Sequence, residues 1–298
     1  SHNKSYMKRK GLNDIELLLS ELDKQQLCDF IRVECANDRN FQQRFLSLGT
    51  GFLTSPKFSD YHARIMDVIE EFGDRHGFVE YSKTFRLNRA ICQIIDEADI
   101  AIQNYQWDVA QTILDSIATS GEEILYCGDD SAGELGDILH YCFRKWHELT
   151  SDELLPEGKK SELFELFLTH FAEGCLKEFD WWWDWIQMAI QLADDEEKQG
   201  RIIQELDKVI NIKGDEWGIN YNRQVAQRHK LEIMSKRGTP EEQFKFMYEN
   251  VSNPDFRKRL LQMAWDRGDY KEVLRLAVDG ATHDSDYAGL VNDWHKWE

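Results

Sequence analysis

The chain has no C-x-x-C or C-x-C pair, no H-E-x-x-H, no G-x-x-x-x-G-K-[ST], no G-x-S-x-G and no glycine fingerprint after a strand. Each absence removes a site with a known mechanism: a thiolate metal or redox centre, a helical zinc protease, a phosphate-cradling loop, a nucleophile elbow and a dinucleotide fold. Proline is scarce, four residues in 298, so the strongest breaker of helices is nearly missing. No apolar run approaches the roughly 18 residues that span a bilayer, and no charged start leads into an apolar signal segment. A cytoplasmic protein with no membrane contact is expected. Alternation of period two between hairpin turns is also missing. The six cysteines (Cys28, Cys35, Cys92, Cys127, Cys142 and Cys175) are scattered and fall mostly on apolar helical faces. Buried thiols in a reducing compartment have that distribution.

Positive charge is the other shortage. There are 36 basic against 55 acidic residues, a formal net charge of −19. A field of that sign repels a phosphate backbone, so direct nucleic-acid binding by the main body is not expected, while a basic protein partner is favoured.

What remains is helix. Ile15, Leu18, Leu19 and Leu22 recur at i, i+3, i+4 and i+7. So do Ile91, Ile94, Ile95, Ala98 and Ile102, then Leu135, Ile138, Leu139, Cys142 and Trp146, then Phe164, Phe167, Leu168, Phe171 and Cys175. Each set is one stripe of an amphipathic helix. Capping-box spacing occurs at Asn13/Glu16, Asp23/Gln26, Ser131/Glu134 and Asp194/Glu197, and Thr239-Pro240-Glu241-Glu242 starts another helix. Gly214, Gly238 and Gly268 stand where left-handed helix ends are expected. The spacing predicts helices near 13–22, 24–36, 39–48, 59–74, 80–103, 106–126, 132–149, 157–177, 181–193, 196–211, 217–237, 240–250, 254–267, 270–279 and 284–297. Two segments share a pattern: in "QWDVAQTILDSI" and "DYKEVLRLAVDG" an aromatic (Trp107, Tyr270) is followed at +3, +6 and +7 by apolar residues. That pattern points to irregular repeats of helix pairs, with the second copy like the middle of a tetratricopeptide unit.

"EFDWWWDWIQMAIQLADDEE" places Trp181, Trp182, Trp183 and Trp185 within five residues. At about 100° per residue they do not share one face. With Ile186, Met188, Ala189, Ile190, Leu192 and Ala193 they ring a helix whose polar wedge is only Asp184, Gln187 and Gln191. Core packing on both flanks is expected, with Asp180 as N-cap. Trp181 and Trp183 are the two that would line a groove for a ligand or peptide.

Other motifs resolve into plain structure. "DEAD" (Asp96 to Asp99) lies inside a strong helix and has no companion phosphate loop. "GDDSAGELGD" lacks the alternating oxygen ligands and final Glu of a calcium loop and reads as a linker. His140, Cys142 and His147 lack metal-ligand spacing. No metal and no cofactor is expected.

The segment "IELLLSELDKQQLCDFIRVECANDRNFQQRFL" (Ile15 to Leu46) runs from a leucine-rich stretch through an L-D/S-K-x-x-L step into a helix ending A/C-x-x-D. It resembles the helical region of bacterial SWIM zinc-finger-associated proteins. "DDSAGELGDILHYCFRKWHEL" (Asp129 to Leu149) is similar to that family's acidic linker and following helix, and the tetratricopeptide-like end fits as well. The C-x-C…C-x-H zinc signature is absent from this chain, so the metal and DNA functions of that module do not carry over. The resemblance implies an interaction-mediating helical segment, in a family associated with chromatin-remodelling-type helicases.

The expected fold is all-α, an irregular α-solenoid of tetratricopeptide-like antiparallel helix pairs. Residues 1–12 form a flexible lead-in, 13–150 the N-terminal repeats and 151–298 C-terminal repeats continuous with the first. "TSDELLPEGKK" (Thr150 to Lys160) is the expected break. The expected function is a non-enzymatic scaffold that binds another protein or peptide, with Trp181, Trp183, Trp294 and Trp297 as candidate contacts. Trp294 and Trp297 end the chain on an aromatic helix with no polar capping repeat, so one of them should be partly exposed or covered by a second molecule. Two readings from other classes compete. One is a metal-dependent hydrolase using Asp129, Asp130, Glu134 and Asp137. The other is a nucleic-acid adaptor using the Asn222–Lys230 stripe "NRQVAQRHK". Partner identity and oligomeric state are not written in the composition.

Overall fold

The computed structural model describes residues 21–37, 41, 45, 57–214, 216–284 and 289–297. Among them the protein is all-α, with fourteen helices and no strand. The lead-in at 1–12 and the helices expected at 13–22 and 39–48 lie wholly or mostly outside the described residues. The chain divides into two compact units, Ser1–Pro156 and Glu157–Glu298.

The first unit carries α1 (Lys24–Asn37), α2 (Phe58–Phe72), α3 (Tyr81–Gln103), α4 (Trp107–Thr119), α5 (Gly121–Tyr126) and α6 (Glu134–Thr150). Helices α2, α3, α4 and α6 pack on one another. Both apolar stripes seen here in the sequence, Ile91 to Ile102 and Leu135 to Trp146, are buried, as the 3.6 period requires. Cys142 is the one cysteine fully buried; the other five are half-exposed. Asp23 and Gln26 form the expected reciprocal cap of α1. The "DEAD" carboxylates join helices. Glu97 pairs with Arg64 of α2, while Asp96 accepts from the Tyr141 hydroxyl (2.6 Å) and Asp99 from Lys145 Nζ (2.8 Å), both on α6. The two loops flanking α3 and α5 touch in one isolated parallel bridge, Val79 with Gly128. A Cβ on Gly128 would sit 2.5 Å from the Val79 carbonyl oxygen, so only glycine lets these backbones approach.

Two expectations are corrected here. The helix read at 106–126 breaks at Ser120. The hydroxyls of Ser116 and Thr119 bond back to the carbonyls of Thr112 and Asp115, and Ser120 is hydrogen-bonded to His62 Nδ1 at 2.9 Å. Such side chains compete with the helical ladder. Ser131 does not cap α6. The Asp130 carboxylate does so instead, accepting from Leu135 N and Gly136 N at 2.7 and 3.2 Å across Gly133, which is left-handed at φ 78°.

The second unit holds α7 (Glu157–Glu173), α8 (Trp182–Leu192), α9 (Glu196–Ile210), α10 (Trp217–Arg237), α11 (Pro240–Glu249), α12 (Pro254–Asp266), α13 (Tyr270–His283) and α14 (Leu290–His295). Each packs on its sequence neighbour. Helix α7 stops four residues short of expectation because Gly174 takes φ 80°, a left-handed end that closes the last turn. Gly268 ends α12 the same way, whereas Gly238 follows α10 in extended backbone. Asp195, not Asp194, caps α9, accepting from Lys198 N at 2.7 Å. In the two similar segments the +3, +6 and +7 positions are all buried: Ala110, Ile113 and Leu114, and Val273, Leu276 and Ala277.

The tryptophan helix α8 is packed on two sides. Trp182 stacks on Phe171 with centroids 4.6 Å apart and donates Nε1–H to the Phe171 carbonyl at 2.9 Å. Trp185 lies between Phe167 and His170. On the opposite flank Trp183 stacks on His229 of α10 at 5.7 Å. Asp180 does not cap α8 with its side chain, because Trp181 is already helical. Its carboxylate accepts from the Tyr221 hydroxyl instead.

The helix read at 284–297 shortens to Leu290–His295. Asp284 leaves the helix in extended backbone, and its carboxylate accepts from Arg257 Nε and Nη2 at 2.8 and 2.9 Å.

Candidate functional site

A groove of about 540 Å³ opens among α10, α11 and α12. Its geometry follows from two well-made corners. At the first, Thr239 and Glu242 form a full capping box with Pro240 at the first helical position, and the Gln243 amide donates to the Gly238 carbonyl at 3.2 Å. At the second, Asn253 caps α12 and turns its buried amide back onto α10, donating to the Gln224 carbonyl (3.1 Å) and Gln227 Oε1 (3.0 Å). Gln227 in turn donates to Asn250 Oδ1 at 2.8 Å. A satisfied buried amide network is rigid, so the three walls keep their spacing.

The floor is apolar. Leu231 and Met247 are nearly buried and belong to the core cluster with Phe256, Leu260 and Leu261. Met263 stands open, 38% exposed. The rim is charged, and its charges are mostly matched. Arg228 pairs with Asp255 at 3.0 Å. Glu232 lies 3.6 Å from His229 and 3.8 Å from Lys236. Gln262 donates to Asp266 at 2.7 Å. Arg259 also lines the groove and is exposed, and no carboxylate, carbonyl or ring among the described residues engages it.

Behind the rim, His229 is largely buried against Trp183. Burial holds its imidazole below the usual 6.5, against the upward pull of Glu232 and with Arg228 adding to the depression. A histidine whose folded pKa is depressed takes its proton more readily when unfolded. The stability it contributes is full above about pH 6.5 and falls as pH drops through the folded value. The melting temperature of the 157–298 unit is therefore expected to fall with acidification from pH 7, and less steeply in His229→Gln. Parallel slopes for the two proteins would refute this.

The four tryptophans nominated by the sequence do not line the groove. Trp183 and Trp294 are buried within their own unit, at 8% and 0% exposure, so neither offers a ring face to a partner. Trp181 is half-exposed at the start of α8. Trp297 is partly buried, edge-on to Trp265 at 6.0 Å. Trp294 is covered by its own chain because the Arg257 guanidinium sits over its ring at 5.8 Å and Gly280 leaves it room.

The acidic linker is committed to structure. Asp130 caps α6, and Asp129 accepts from Ser131. Among the described residues no group of three or more His, Cys, Asp or Glu side chains is gathered to hold a metal. The Asn222–Lys230 stripe is also spent. Arg223 donates to the carbonyls of Ile210, Ile212 and Gly214, and Lys230 pairs with Asp207 at 2.6 Å.

Sequence reasoning passed over Met263 and Arg259. The available signal was the α12 face Asp255, Arg259, Gln262, Met263 and Asp266, where an apolar residue interrupts a polar row. No helix among the described residues is long and apolar enough to cross a membrane. No family model, curated protein or solved structure matches the chain.

Proposed function

We propose that the protein is a non-enzymatic interaction scaffold, a tetratricopeptide-like array whose second unit holds a segment of another protein in the α10–α12 groove. The observation that carries this reading is the groove itself: an apolar floor open at Met263 between walls held by buried amides. The packing of the second unit supports the repeat reading. Beyond neighbour-on-neighbour contact, side chains link alternate helices: Arg201 to Glu165, Trp183 to His229, Arg228 to Asp255, Tyr248 to Glu272 and Lys258 to Asp293. Contact limited to near neighbours is how helical repeats stack, and stacking leaves grooves that take extended segments.

The test is selection of a displayed random-peptide library on the immobilised full chain. Peptides should be enriched, and Met263→Asp should weaken their binding about tenfold or more while leaving the melting temperature unchanged. Absence of enrichment, or equal binding to the variant, would sink the reading.

A further inference from the structure

We infer that the segment taken by this groove is acidic as well as apolar, with a carboxylate on Arg259 beside a bulky side chain seated on Met263. The inference rests on the groove reading above. Its own observation is the state of Arg259. In the second unit the other arginines with described side chains are engaged: Arg201 by Glu165, Arg223 by three carbonyls, Arg228 by Asp255, Arg257 by Asp279 and Asp284, Arg267 by the Met263 carbonyl and the Phe244 ring, and Arg275 by Glu272. Arg259 alone has no partner among the described residues. This occurs in a chain with 55 acids to 36 bases, where a carboxylate is the easiest neighbour to find.

Local chemistry decides what the groove attracts. The acids near it are occupied: Asp255 holds Arg228, Glu232 faces Lys236 and His229, Glu242 closes its capping box, and Asp266 accepts from Gln262. The charge left over is positive and sits beside an exposed thioether. The net charge of −19 favours basic partners at long range, but exposed charges are screened beyond a Debye length of about 8 Å at physiological salt. Contact is therefore set by the rim. A guanidinium presents a planar fork that matches a carboxylate, and an arginine beside an apolar anchor has the composition of an interface hot spot.

The same peptide selection tests this. Enriched peptides should carry Asp or Glu close to Leu, Met or an aromatic residue. Changing that acid to Lys should weaken binding to the full chain about tenfold. Arg259→Gln should erase the preference for the acid, and Arg259→Glu should turn it toward the Lys version. Both variants should fold normally, since Arg259 is exposed and bonds to none of the described residues. Peptides that depend on Met263 but are poor in acids, or that bind Arg259→Glu undiminished, would overturn this inference and leave the groove reading standing. Peptides indifferent to Met263→Asp would overturn both. A single-stranded oligonucleotide that displaces the peptides from the full chain but not from Arg259→Gln would assign the arginine to phosphate and overturn the inference.

Discussion

Replacing Arg257 by Ala is expected to lower the unfolding free energy of residues 157–298 by about 3–5 kcal/mol. The guanidinium is 1% exposed and ties four places together. It donates to the Asp284 carboxylate twice, to Asp279 and the Leu276 carbonyl at 2.9 Å each, and it lies over the Trp294 ring. Truncation leaves the Asp284 carboxylate, itself 5% exposed, buried without its counter-charge. Removing one partner of a buried pair costs far more than the pair contributes. Replacing both partners, Arg257→Met with Asp284→Leu, should therefore recover part of the loss. Urea unfolding followed by tryptophan fluorescence is the measurement, because eight of the ten tryptophans lie in this unit. A loss below about 1 kcal/mol would contradict the clasp. Burial already pushes the Asp284 carboxyl above its ordinary value, with Arg257 pulling it back. Without Arg257 the folded pKa rises further. The deficit should then be smallest in acid and grow as pH rises through that value.

Trp185→Ala should cost about 3–5 kcal/mol. The indole is fully buried where α7 meets α8, with the Phe167 and His170 rings 5.9 and 4.6 Å away. Alanine there leaves a void the rigid helix pair cannot close. Trp181→Ala, four residues earlier and half-exposed, should cost only about 1 kcal/mol. Paired denaturant titrations decide the matter: equal losses for the two variants would contradict a helix ringed by core contacts and open to solvent only at its start and along the Gln187 and Gln191 wedge. Both variants should keep the peptide binding described above, since neither residue lines the groove.

The tryptophan cluster shows how far periodicity reaches. An arc that covers most of a helix demands neighbours on both flanks, and α7 and α10 supply them. The +3, +6 and +7 positions of the two aromatic-led segments are buried in both. The caps read from spacing form at Asp23 and Thr239. They failed at Ser131 and Asp194, where a neighbouring aspartate accepts instead from amides one or two residues further along, Leu135 and Gly136 for Asp130 and Lys198 for Asp195. Spacing rules cannot rank acceptors a residue apart.

The sequence by itself determined that the protein is helical and which stripe of α3, α6 and α7 is buried, because both follow from the 3.6-residue period and from the near absence of proline. Charge assignment needed the tertiary structure. Asp255 and Arg259 stand at i and i+4 on α12, the spacing at which a helix pairs an acid with a base. In the fold Asp255 turns to Arg228 of α10 instead. That choice joins two helices and leaves Arg259 open at the groove. Likewise Asp284, readable as the start of a last helix, was drawn out of it by Arg257 twenty-seven positions earlier. Local spacing offers each ionic group a nearby partner, but burial rewards the partner that closes a long-range contact, and no periodicity encodes which one that is.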